Sequence, residues 1–178
     1  MTFQKSSIPG VWLIKSSTPH DSRGRFQKTF HEDQFYDHGI SFPIRETFFS
    51  ASKRDVIRGM HLQTPPHEHD KLVSCVQGEA LDVLVDVRSS SNTFGRFESY
   101  SLSESIGLSI LIPKGVAHGF LSLVDDTILL YQVTTTHHPD SDGGVRFDSF
   151  GFAWPCQTPI ISERDLGLPD LADFRRWD

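Results

Sequence analysis

Residues 80–87, "ALDVLVDV", alternate without a break: Leu81, Val83, Val85 and Val87 fall on one side, and Asp82, Leu84 and Asp86 on the other. A period of two is the geometry of an extended strand; a helix would repeat its apolar positions every three to four residues. Comparable runs recur along the chain. "KLVSCVQG" (71–78), "FESYSL" (97–102), "GLSILIP" (107–113) and "TILLYQVT" (127–134) are short and strand-like, with Gly, Pro or Asp bounding the apolar ones, and "RFQKTF" (25–30) reads the same way. "QGEA" (77–80) and "PKGVAH" (113–118) stand where turns between such strands would lie. Helical patterning is confined to "HEDQFYDHG" (31–39) and the tail after "SERD". Many short strands with frequent turns imply an all-β jelly-roll, sandwich or barrel, with a few short helices mostly near the C-terminus.

The 178 residues suit a single domain, 1–178, able to bury one sizeable core. Phe is frequent at 14 residues, so that core is expected to be aromatic-rich. A net charge of -6 argues against a nucleic-acid partner, whose binding needs a basic surface. It leaves room for a small anion held in a local basic pocket. The two cysteines, Cys75 and Cys156, have no partners at metal spacing, which speaks against a cysteine zinc site or a disulfide framework. The N-terminus has no apolar leader stretch, and no apolar run approaches the length of a membrane span. A cytoplasmic protein with no membrane partner is expected.

The stretch "VIRGMHLQ" (56–63) breaks the apolar strand pattern with Arg58, Gly59 and His61. Lys71 follows ten residues after His61. Burying two cations and an imidazole is unfavourable unless something anionic compensates, such as a carboxylate or a phosphorylated ligand. Tyr131 sits inside a buried-looking strand and needs a hydrogen-bond partner there. It is either a core tyrosine or an acid facing the histidine, an arrangement suited to removing a proton from one face of a carbon and returning one to the other. Arg58 and His61 differ in parity, so strict alternation sets them on opposite faces; a bulge at Gly59 would bring them together.

A metal site is the alternative. "HEH" supplies His67 and His69, and "PKGVAH" supplies His118 at the spacing of the second cupin motif. Histidines with a carboxylate hold iron, manganese or zinc. The glutamate of the first cupin motif is missing, because Val73 and Ser74 occupy its place.

Eight segments in order, "DSRGRF" (21–26), "RGMHLQ" (58–63), "DKLVSCVQGEALDVLVDVR" (70–88), "TFGRF" (93–97), "IPKGVAHGFLSL" (112–123), "LLYQVT" (129–134), "GFAWP" (151–155) and "PIISERD" (159–165), resemble the nucleotide-sugar 3,5-epimerases of the dTDP-4-dehydrorhamnose type. The resemblance covers roughly residues 8 to 170. It implies a cupin jelly roll that forms homodimers, needs no cofactor and inverts C3, C5 or both in an NDP-4-keto-6-deoxyhexose. It also implies roles. His61 is the base that removes the proton alpha to the C4 ketone, oriented by Asp165, with Asp82 a second candidate for that orienting role. Lys71 stabilises the enolate oxygen, and Tyr131 returns a proton from the opposite face. Arg23, Arg58 and Arg164 match diphosphate contacts, and His118 and Asp142 match further ligand contacts.

The chain departs from the family pattern where the ligand is touched. Lys28 stands where a glutamate usually reads thymine, which makes CDP and GDP sugars worth testing beside dTDP. The usual "QDNHS" is "ETFFS" here, placing Glu46 and Phe48 at ligand-facing positions. Thr136 and His137 replace two tyrosines.

Overall fold

The computed structural model describes residues 1–174. In chain order its strands are β1 (Thr2–Lys5), β2 (Trp12–Lys15), β3 (His20–Asp21), β4 (Gly24–Arg25), β5 (Glu46–Ser52), β6 (Ile57–Gln63), β7 (Lys71–Gln77), β8 (Glu79–Asp86), β9 (Phe97–Ser103), β10 (Leu108–Ile112), β11 (Val116–Ser122), β12 (Thr127–Val133) and β13 (Asp142–Gly144). Two short helices, α1 (Glu32–Tyr36) and α2 (Glu163–Leu166), complete it with two single 3-10 turns.

Two antiparallel sheets face each other. One runs β1-β2-β10-β7-β12-β5 and the other β13-β6-β11-β8-β9, while β3 and β4 form a separate small hairpin. Between the sheets, Val73, Cys75, Ile110 and Leu129 of the first meet Leu84, Leu102 and Phe120 of the second. Each outer face is covered as well. Phe35 of α1 and Phe42 pack over Ile14, Leu72 and Leu111. The C-terminal segment, through Phe150, Leu171 and Phe174, packs over Met60, Val83, Val85 and Ala117.

This layering explains why β8 is buried on both sides although its sequence alternates. Leu84 enters the inter-sheet core, while Val83 and Val85 lie under the C-terminal segment. Asp82 and Asp86 are therefore fully buried and need partners. Asp86 receives hydrogen bonds from Arg88, Ser91 and Thr93.

The strands at 71–77, 79–86, 97–103, 108–112 and 127–133 fall where the strand-like runs indicated them, and Gly78 (φ +76°) turns β7 into β8. "RFQKTF" differs: only Arg25 belongs to a strand, and Phe26 is 63% exposed. Beyond the two-residue hairpin no neighbouring strand pairs with it, and alternation without a ladder does not make a sheet. The "SERD" segment differs in another way, since α2 begins inside it. Ser162 caps that helix by accepting the Asp165 N–H at 3.1 Å.

Between β6 and β11 the ladder slips. His61 faces His118 and Arg58 faces Phe120, so Gly59 and Met60 oppose Gly119 alone. This is the bulge that the parity of Arg58 and His61 requires. Gly59 adopts φ +145°, and a Cβ there would stand 2.5 Å from the Gly119 Cα. Only glycine fits.

Candidate active site

The bulge turns Arg58 to the same cavity as His61. This cavity opens between the sheets, has a volume of about 360 Å³, and takes lining residues from β5, β6, β7, β11, β12, β13 and α2. That is enough room for a small polar ligand.

On the five-stranded side, His61 Nε2 lies 2.8 Å from Asp165 Oδ1. With Nε2 donating to the carboxylate, Nδ1 keeps the lone pair that accepts a proton. The second Asp165 oxygen accepts the Gly59 N–H at 3.1 Å. Asp165 reaches this position because the segment before α2 is pinned to the start of β6. Ile57 N–H donates to the Ile160 carbonyl, and Ile160 N–H to that of Asp55. Burial alone would raise the Asp165 carboxyl, but the His61 bond and charge, together with the Gly59 N–H, hold it below the usual carboxylate range.

Beside this pair, His118 Nε2 donates to Asp82 Oδ2 at 2.7 Å, both groups being fully enclosed. Burial lowers the His118 imidazole, against the opposing charge and hydrogen bond of Asp82. Asp82, the second candidate for orienting His61, thus serves His118 instead. β8 pairs with β11 rather than β6, and Asp82 lies in register with Phe120 within that pairing.

On the six-stranded side stand Lys71 and Tyr131, both nearly buried. Burial pulls the Lys71 ammonium down to about 8, opposed by the charges of Asp82 and Asp142. Burial also pushes the Tyr131 phenol well above its ordinary range, which keeps it protonated. Its hydroxyl shares a hydrogen bond with Ser50 at 3.3 Å. The Phe48 ring stacks on it at 4.9 Å, and the His118 ring meets it edge-on at 6.0 Å. At the rim, Arg164 donates to Asp142 at 2.8 Å, and Glu46 accepts the His137 N–H at 2.7 Å.

His61, Lys71, Tyr131, Arg58, His118, Phe48, Glu46, Asp142 and Arg164 therefore all line one cavity, with Asp165 behind His61 and Asp82 behind His118. Arg23 and Lys28 do not. Arg23 is exposed on the β3–β4 hairpin and paired with Asp21, while the Lys28 side chain is exposed and its carbonyl accepts from Ser16. The metal alternative does not assemble either. His67 stacks flat on His138 at 3.5 Å and His118 is committed to Asp82. Among the described residues no three His, Cys, Asp or Glu converge to hold a metal ion. Nor is any described helix long and apolar enough to cross a membrane. Ser50, Gln63, His69 and Thr135 were not singled out as ligand-facing, yet all line the cavity. For Gln63 the signal was its shared parity with His61.

The family model for dTDP-4-dehydrorhamnose 3,5-epimerase matches residues 5–173. The chain is 38% identical to the dTDP-4-dehydrorhamnose 3,5-epimerase of Methanothermobacter thermautotrophicus, over 96% of this chain and 95% of that one. It is 34% identical to the dTDP-4-dehydrorhamnose 3-epimerase of Streptomyces niveus, over 98% of this chain and 86% of that one. Among solved structures, a 4-keto-6-deoxy sugar epimerase from the novobiocin gene cluster of Streptomyces spheroides superposes with a TM-score of 0.93 at 33% identity, covering 97% of this chain and 88% of the other. The Legionella pneumophila dTDP-6-deoxy-D-glucose-3,5-epimerase, in complex with dTDP-4-keto-L-rhamnose, gives 0.92 at 30% identity over 98% and 94%. A cupin-type jelly roll with this cavity defines a sugar-nucleotide epimerase, an isomerase of deoxysugar biosynthesis. The chain belongs to the dTDP-4-dehydrorhamnose 3,5-epimerase family.

Proposed function

We propose that the protein inverts C3, C5 or both in a nucleoside-diphosphate 4-keto-6-deoxyhexose. The observation that carries this reading is that His61 on one sheet, held by Asp165 of α2, and Tyr131 on the other sheet line a single cavity. His61 Nδ1 takes the proton from the carbon alpha to the C4 ketone. The C–H electron pair becomes the carbon–carbon double bond of an enolate, and the former carbonyl oxygen carries the negative charge. Lys71 faces that oxygen as its charge develops. Tyr131 then protonates the same carbon from the opposite face, and the double bond reverts to the ketone. Asp165 holds the imidazole and stabilises its charged form. The phenolate and imidazolium return to their starting states by exchange with solvent.

Arg58 and Arg164, at the cavity rim, are the proposed diphosphate contacts, since a guanidinium meets phosphate oxygens bidentately. Phe48 and Glu46 shape the pocket beside Tyr131. The nucleotide we propose first is dTDP, because solved relatives are described in complex with dTDP sugars. Lys28 lies outside this chain's cavity and gives CDP or GDP no direct support. The protein is read as one epimerase domain acting in the cytoplasm without a cofactor. A homodimer is also proposed. Phe26 and Phe49 are 63% and 67% exposed, and Lys28 and the Asp21-paired Arg23 face outward, on the side a second copy would approach.

Proton NMR in deuterium oxide, with dTDP-, CDP- and GDP-4-keto-6-deoxyglucose, tests the reading. Loss of the C3 or C5 proton signal with the wild type and not with His61→Ala supports it. Absence of exchange with all three substrates refutes it.

A further inference from the structure

Gln63 lies two residues beyond His61 on β6 and is 3% exposed. Its carboxamide joins the two loops that border the cavity. Oε1 accepts the His138 N–H at 2.6 Å. Nε2 donates one hydrogen to the His67 carbonyl at 2.7 Å, and its second hydrogen is shared between the Thr136 carbonyl and His69 Nδ1, each at 3.2 Å. The backbone contacts fix the orientation of the amide. Turned over, it would set its NH2 against the His138 N–H and its oxygen against two carbonyls. His69 Nδ1 therefore faces a nitrogen that offers only hydrogens. A proton on Nδ1 would oppose donor to donor, so Nδ1 carries the lone pair and Nε2 the hydrogen.

We infer that Gln63 is a positioning residue: it holds His69 as the neutral Nε2–H tautomer on the cavity wall, and so keeps a second cation away from Lys71. The inference rests on the proposed role of Lys71 at the enolate oxygen. His69 and Lys71 both line the cavity. The charge of Lys71 is already disfavoured by burial and supported only by Asp82 and Asp142. Adding His69⁺ would weaken it further.

The other basic groups around the pair act in the same sense. His137 and Lys114 both oppose a charge on His69, Lys114 being 3.7 Å from Glu68. The buried His118 is itself disfavoured by the Lys71 charge. Burial, followed by the charges of Lys71 and His137, pulls the His69 imidazole down to about 3, with only the Thr135 backbone favouring its proton. That agrees with a neutral imidazole.

Long-range proton–nitrogen NMR of the imidazoles in the full-length protein, with the His69 signals assigned by their loss in His69→Gln, tests the first half. The expected result is an Nε2–H tautomer that persists as the pH falls to about 5, well below an ordinary histidine pKa. An Nδ1–H tautomer, or titration near the ordinary value of about 6.5, overturns the inference with no variant required. Gln63→Glu replaces the donor by an acceptor and should move His69 protonation to higher pH; an unmoved His69 in the folded variant also overturns it.

The second half is read from the alkaline limb of kcat. His69→Gln, an uncharged replacement, should leave that limb in place, whereas His69→Arg should move it to lower pH by at least about half a unit. The same limb in both variants refutes the electrostatic role. Failure of the epimerase reading would look different, as loss of exchange in the wild type itself, with the His69 tautomer unaffected.

Discussion

His61 Nε2 and Asp165 Oδ1 stand 2.8 Å apart although 104 residues separate them in the chain. Nothing local to either residue brings this about. The contact exists because the Ile160 segment is pinned along the start of β6, and because the Gly59 N–H takes the second carboxylate oxygen. A base held in this way has one ring nitrogen committed and one free, which is the state required to accept a proton from carbon.

Replacing Asp165 by Asn keeps the shape but removes the charge that supports imidazolium. We expect kcat to fall by about 10²- to 10⁴-fold with a much smaller change in KM, because the contribution appears only as His61 becomes charged. Steady-state kinetics of Asp165→Asn on the 4-keto sugar decides this. An unchanged kcat would mean that the pair is structural only.

Tyr131→Phe retains the ring that stacks with Phe48 and loses only the hydroxyl shared with Ser50. Abstraction by His61 should continue, and the proton should return to the face from which it left. The expected outcome is incorporation of solvent deuterium with little or no inversion, seen by NMR of the product. Inversion at the wild-type rate would remove Tyr131 from the mechanism.

The depressed Lys71 ammonium gives two linked expectations. Activity should decline as the pH rises above about 8, because the uncharged amine no longer stabilises the enolate. The stability effect has the opposite sense. The folded chain binds the Lys71 proton less tightly than the unfolded chain, so this group's contribution to stability grows as pH rises from about 8 towards the ordinary value of 10.5. Lys71→Met should be inactive yet more stable near neutral pH by on the order of 1–3 kcal/mol, measured by urea denaturation. A destabilised variant would contradict the charge as the unfavourable element.

Gly59→Ala tests the bulge. Its Cβ would meet the backbone of Gly119 at 2.5 Å, and φ +145° is strained for any residue with a side chain. We expect a loss of at least about 1–3 kcal/mol in denaturation. Activity should also fall in whatever fraction remains folded, since Arg58 and His61 share the cavity only through this irregularity. Wild-type stability and kinetics would show that the bulge tolerates a side chain.

The strict alternation of 80–87 and the short strand-like runs at 71–78, 97–102, 107–113 and 127–134 anticipated the strands at 71–77, 79–86, 97–103, 108–112 and 127–133, because such patterning is a local property of the chain. The order of the eight family-like segments likewise brought His61, Lys71, Tyr131 and Asp165 forward as one constellation by resemblance. What the chain could not express locally were the pairings. Asp82 belongs to His118 and not to His61, because β8 lies beside β11 and not beside β6. Arg23 falls away from the cavity because its hairpin joins neither large sheet, and Lys28 lies in the irregular segment that follows it. The metal reading fails because His67 and His118 find other partners. Gln63 emerges as a junction only when residues 67, 69, 136 and 138 close around it. Hydrophobic periodicity tells each residue which face to take. The partner on that face is chosen by strand order and long-range closure, and these exist only once the two sheets have come together.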